Sequence, residues 1–221
     1  MLTLKLEANS KLVFIGDSIT DCDRQKPEGE GLFGALGKGY VSFVDAMLMA
    51  VYPELGIRVV NKGISGNTVR DLVARWKEDV INQQPDWLSI MIGINDVWRQ
   101  HDVPFITEWH VYPDEYEATL RQLVTETKPL VKGLVLMTPY YLEPNPDDKM
   151  RRMMDQYGAI VKKVAIETDS ILIDTQEAFN KVMTEIYPAT LAWDRVHPSA
   201  VGHMILARAF LASVGFDWNR A

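Results

Sequence analysis

A chain of 221 residues with one cysteine, Cys22, has no intrachain disulfide available, and such thiol usage suits a reducing compartment. Long apolar runs are missing as well, since no stretch stays apolar for the ~20 residues that a membrane-spanning helix needs. The first ten residues, Met1 to Ser10, lack a basic segment followed by an apolar one. No signal peptide is therefore visible, and the cytoplasm is the expected location. Basic runs and low-complexity tracts are absent too. Acidic residues outnumber Lys and Arg by 30 to 23, for a formal charge of −7, which argues against nucleic acid or an anionic membrane as the main partner.

The hydrophobic share of 47% and the charged share of 24% are those of an ordinary globular protein, and the length suits one sizeable core rather than two. Short apolar runs at Leu12–Ile15, Ile57–Val60, Trp87–Ile92, Gly133–Met137 and Ile171–Asp174 show little alternation, as expected of parallel strands covered on both faces. Helical patterns fall between and after them, near residues 40–51, 69–82, 112–127, 149–167, 176–187 and 199–214. This alternation predicts an α/β fold, a three-layer α/β/α sandwich around a central parallel sheet of about five strands, with right-handed crossovers. With no linker and no repeat, residues 1–221 read as one domain. In such sheets ligands bind beyond the carboxyl ends of the strands.

Ser18 follows the first strand, Gly66 the second and Asn95 the third, while Asp194 and His197 precede the last helix, so all fall on one rim. An aspartate three residues before a histidine can hold that imidazole across a turn, and Ser18, Asp194 and His197 read as a triad for acyl transfer. The tetrahedral oxyanion of such a reaction needs donors. Gly66, in a glycine-containing loop, offers an unshielded backbone N–H, and Asn95 offers a side-chain amide. Alone, each of these positions would also suit a cap or a turn. Trp98 and Trp193 lie close in sequence to Asn95 and Asp194, where indole faces either support a pyranose ring or pack the rim. Asp17 joins them as a candidate substrate contact. Cys22 reads either as a thiol near the site or as a small buried side chain.

Other patterns fail. Gly29-Glu30-Gly31-Leu32-Phe33-Gly34 has the spacing of a dinucleotide fingerprint, but it follows no strand and puts Glu30 where a pyrophosphate would lie. The segment 27–39 reads instead as a mobile loop bordering the site. Residues 16–20 lack the second glycine of the nucleophile elbow, which disfavours an ordinary α/β-hydrolase. The histidines show no zinc spacing.

Four blocks in order, Gly16-Asp17-Ser18, Gly66, Asn95 and Asp194-x-x-His197, resemble the SGNH (GDSL-type) hydrolases. The resemblance implies a flavodoxin-like fold, Ser18 as nucleophile, His197 as base oriented by Asp194, an oxyanion hole of Ser18, Gly66 and Asn95, and no cofactor or metal. The stretches around Arg24, Val60–Arg70, Ile92–Arg99 and Ala192–Pro198 are similar to the bacterial intracellular acetyl xylan esterases of this superfamily. That narrower likeness implies removal of acetyl groups from xylo-oligosaccharides, with a small acetylated carbohydrate as partner, and a homo-oligomer, an octamer. Ten methionines and the tail from Val214 to Trp218 fit either an interface or an ordinary core. The competing readings are an SGNH thioesterase or lysophospholipase, a non-catalytic carbohydrate-binding protein, and a purely structural subunit.

Overall fold

Because the strand segments are mostly apolar and show little alternation, each needs cover on both faces, and a parallel sheet between two helical layers supplies it. In the computed structural model, which describes residues 3–220, five strands form that sheet. They are β1 (Lys11–Gly16), β2 (Arg58–Gly63), β3 (Trp87–Met91), β4 (Gly133–Met137) and β5 (Ile171–Ile173). They lie in the order β2-β1-β3-β4-β5, all parallel. This is the flavodoxin-like order, whose switch point falls between β1 and β3.

The helices are α1 (Ser18–Asp21), α2 (Tyr40–Val51), α3 (Val69–Trp76), α4 (Ile94–Asp102), α5 (Pro113–Thr127), α6 (Lys149–Glu167), α7 (Thr175–Met183), α8 (Pro188–Leu191) and α9 (Ala200–Ser213). Helix α2 packs on α9, while α3 packs on α5 and α5 on α6. Right-handed crossovers place these two groups on opposite faces of the sheet.

The expected elements are present, with differences at their ends. The strand expected at 57–60 runs on to Gly63, because its last three residues are buried under α1. The helix expected over 69–82 ends at Trp76 and continues as a wider turn, Lys77–Ile81. The pattern from 176 breaks at Met183, and Pro188 opens the separate helix α8. Helix α4 occupies a segment that reads locally as a turn, Gly93 to Asp96, and extends beyond it. Only its first four residues are buried, and its apolar residues, Ile94, Val97 and Trp98, span little more than one turn.

Close approach at the carboxyl ends of the strands is permitted by small residues and fixed by buried polar ones. A Cβ on Gly16 would come within 2.3 Å of the Met91 carbonyl of β3, so β1 and β3 close their gap only with glycine there. Asn61 of β2 is fully buried; its Nδ2 donates to the carbonyls of Thr20 (2.6 Å) and Leu36 (2.8 Å), and its Oδ1 accepts from the Gly63 N–H (2.9 Å). Arg75 on α3 ties three points together, donating to the Gly16 carbonyl (3.0 Å), the Lys62 carbonyl (2.7 Å) and Asn67 Oδ1 (2.7 Å). Asp96 on α4 is also fully buried. Its Oδ1 accepts the Val69 N–H at the start of α3 (3.0 Å), while its Oδ2 meets no partner. Burial pushes this carboxyl up to about 7.

Two stability effects are expected. Asn61→Ala strands two buried carbonyls and one N–H, and it is expected to cost about 2–3 kcal/mol in denaturant unfolding with little change in the slope. Asp96 binds its proton more tightly folded than unfolded, so its contribution is present at low pH and lost as pH rises towards 7. The melting temperature of Asp96→Asn is therefore expected to gain on that of the wild type between pH 5 and pH 8; a constant difference across that range would contradict a neutral Asp96.

Candidate active site

Ser18 is the first residue of α1, immediately beyond β1. The turn that presents it is held by Asp17, whose Oδ1 accepts the Ile19 N–H (3.0 Å). Asp17 is 1% exposed, and burial pushes its carboxyl up to about 7 against the pull of that hydrogen bond. The expected substrate contact is thus corrected: Asp17 lies beneath the nucleophile turn and caps it.

His197 reaches the same point from the other end of the chain. Its Nε2 lies 2.9 Å from Ser18 Oγ, and its Nδ1 lies 2.6 Å from Asp194 Oδ2. Asp194 Oδ1 accepts the backbone N–H groups of Val196 (3.0 Å) and His197 (2.7 Å), so the carboxylate organises the loop that carries its own partner. Partial burial raises the Asp194 carboxyl, but hydrogen bonds from the His197 ring and backbone and from the Val196 N–H outweigh it and hold the group below its ordinary range. An ionised Asp194 bonded to Nδ1–H leaves Nε2 free to accept the serine proton. The loop is fastened to the sheet by the Tyr140 hydroxyl, which donates to the Val196 carbonyl (3.0 Å), and by the Leu142 N–H, which donates to the Arg195 carbonyl (3.0 Å). Trp98 stands beside the base, its ring centroid 5.7 Å from that of His197.

The expected oxyanion donors lie on two adjoining segments. Gly66 has φ +82°, a left-handed conformation that glycine adopts without strain, and no atom lies within 4 Å of where its Cβ would be. Its loop is bound to the nucleophile turn by the Ser65 N–H, which donates to Asp21 Oδ2 (3.1 Å), and by the Ile64 N–H, which donates to the Gly16 carbonyl (3.0 Å). Asn95, on the first turn of α4, donates one Nδ2 hydrogen to the Asn67 carbonyl (2.9 Å) and keeps a second. Arg99 donates to Asn95 Oδ1 at 3.4 Å, which fixes which end of the amide faces the loop.

Arg75, Asp21 and Asp96 brace this rim, and none of them was singled out from the sequence. Their role depends on partners 27 to 59 positions away, a separation no local pattern records. Trp193, which the sequence leaves open between a sugar platform and rim packing, is 88% exposed, next to Asp194, and lines a cavity with Glu143, Tyr187 and Arg195. The start of the 27–39 segment is bound to the edge strand β2, where Gly29 O accepts the Asn61 N–H (2.7 Å) and Glu28 and Glu30 pair with Lys62 and Arg58. Cys22, the C-cap of α1, has its Sγ 3.4 Å from His203 Nε2. His203 Nδ1 accepts the Tyr40 N–H (3.1 Å), so the proton of the neutral ring sits on Nε2 and points at the sulfur. Burial lowers His203 to about 4 and raises the Cys22 thiol. Burial thus disfavours both the imidazolium and the thiolate here. Among the described residues no three His, Cys, Asp or Glu side chains form a metal-binding group, and no helix is long and apolar enough to cross a membrane.

The chain is 71% identical to an acetylxylan esterase of Geobacillus stearothermophilus over 218 residues, covering 99% of this chain and 100% of that one. It is 29% identical over 204 residues to "Thioesterase 1/protease 1/lysophospholipase L1" of Escherichia coli (strain K12), covering 90% and 80%. A crystal structure of the Geobacillus acetylxylan esterase superposes with a TM-score of 0.97, at 71% identity and covering 99% of this chain and 100% of that chain. An alpha/beta hydrolase from the metagenome of Lake Arreo, Spain, superposes with a TM-score of 0.95, at 53% identity and covering 97% and 99%. Residues 14–205 match the GDSL-like Lipase/Acylhydrolase family, and the chain belongs to that family.

Proposed function

We propose that this protein is a serine esterase that removes acetyl groups from acetylated xylo-oligosaccharides through an acetyl-enzyme on Ser18, acting as one hydrolase domain across residues 1–221. The observation that carries the chemistry is the continuous hydrogen-bond chain from Ser18 Oγ through His197 to Asp194, at 2.9 and 2.6 Å. The substrate class is supported by the 71% identity to the Geobacillus acetylxylan esterase.

Ser18 Oγ attacks the acetyl carbonyl as His197 Nε2 takes its proton. The charge that develops on the carbonyl oxygen is met by the backbone N–H groups of Ser18 and Gly66 and by the remaining Nδ2 hydrogen of Asn95, each donor worth about 3–4 kcal/mol when removed. His197 returns the proton to the departing sugar oxygen as the C–O bond breaks. It then deprotonates a water that attacks the acetyl-enzyme, releasing acetate and restoring Ser18. Asp194 keeps the imidazole in the required tautomer and stabilises its charged form. The chain supplies every group in this sequence, with no cofactor. We further propose that the enzyme works in the cytoplasm as a homo-oligomer, an octamer, as implied by the resemblance to the intracellular acetyl xylan esterases.

The test is acetate release from acetylated xylo-oligosaccharides, with a long-acyl ester measured alongside. The wild type is expected to release acetate and to turn over the long ester poorly. Ser18→Ala and His197→Ala are expected to lose about 10⁴-fold or more in kcat while keeping the melting transition. Near-wild-type turnover by either variant would defeat the triad. Ser18-dependent cleavage confined to the long ester would move the substrate towards the lipids or thioesters named for the Escherichia coli relative.

A further inference from the structure

A cavity of about 440 Å³ opens beside Gly66, one of the candidate oxyanion donors. Thr68, Arg70, Arg99, Glu108 and Trp109 also line it. Its volume lies within the range of about 300–1,000 Å³ common for small-molecule sites. No side chain projects from Gly66 into it, and Arg99 links the cavity to Asn95 through its 3.4 Å contact with Oδ1. Trp109 is 55% exposed. A half-exposed indole usually belongs to a pliable surface, but this one stands on a fixed turn. Arg70 donates to the carbonyl on each side of it, Glu108 O at 2.8 Å and His110 O at 2.9 Å, while its guanidinium is held by both oxygens of Glu115.

The electrostatics select the kind of ligand. Both guanidiniums already face carboxylates, Arg70 with Glu115 and Arg99 with Asp102. The other charges of the cavity, Asp71 and Glu108, are negative. An anion gains nothing there. A neutral polyol does, because its C–H face stacks on indole and its hydroxyls pair with carboxylate and hydroxyl oxygens.

We propose that this cavity is a subsite for the xylose units flanking the acetylated one, with the Trp109 indole as its stacking platform. The proposal rests on the acetyl-sugar reading of the active site and adds a preference for oligomers over single sugars. Gly66 of the candidate oxyanion hole and Trp109 line the same cavity, so a substrate whose acetylated ring sits at Gly66 can lay a neighbouring ring on the indole.

Steady-state acetate release is measured for the wild type, Trp109→Ala and Trp109→Phe on acetylated xylose and acetylated xylotetraose. The wild type is expected to have the lower KM for the tetraose. Trp109→Ala is expected to raise that KM about tenfold and so abolish the preference, and Trp109→Phe to restore most of it. In a Ser18→Ala background, calorimetric binding of acetylated xylotetraose is expected to weaken by the same factor on Trp109→Ala. An unchanged tetraose KM in Trp109→Ala, or no length preference in the wild type, overturns the subsite and leaves the esterase reading standing. Failure of the wild type to release acetate from either sugar overturns the substrate reading and the subsite with it.

Discussion

Everything at the rim depends on how α9 sits on β1. Ser18 and His197 are 179 residues apart, and nothing local brings them to 2.9 Å. Phe14 of β1 is packed between Tyr40 of α2, with centroids 5.6 Å apart, and Phe210 of α9, 4.8 Å away. His203, about one turn into α9, accepts the N–H at the start of α2 and stacks on the Tyr40 ring. The helix that follows the base is thereby locked against the strand that precedes the nucleophile. A dense apolar contact of this kind resists small displacements, because sliding it opens voids on one side and overlaps on the other.

A second set of contacts performs the same service for the oxyanion donors. They arise from three successive strand ends, and each end is joined to the next by a polar group that is largely shielded from water. Arg75 gathers the carbonyls after β1 and β2, Asp21 holds the loop after β2 to the nucleophile turn, and Asp96 joins the start of α3 to α4. The active geometry thus depends on buried hydrogen bonds and ordered carboxyls as much as on the apolar core. Asp96 carries the cost, since one of its oxygens has no partner.

Much of this was legible in the sequence because it is local or periodic. The strands announce themselves as unbroken apolar runs, and Gly133–Met137 and 149–167 coincide with the observed elements. The residues that meet at the rim were visible as four blocks in a fixed order, each at the carboxyl end of a strand or at the start of a helix. What escaped was of two kinds. Helix α4 is short, its helical spacing resting on Ile94, Val97 and Trp98 alone, and Asn95 within it looks like a turn residue. Burial of charge was also invisible: Asp17 reads as a polar residue beside a nucleophile, and only the tertiary packing puts it beneath the turn.

The base and its aspartate are only half covered, with 47% and 39% of their side-chain surfaces open. An acyl group on Ser18 is therefore in contact with bulk solvent rather than sealed behind a lid. Water at its full concentration competes with any alcohol for that acyl group. Such a centre is committed to hydrolysis: the sugar that has just departed has little chance to recapture its acetyl group, and transfer to another hydroxyl requires an acceptor held in place by binding.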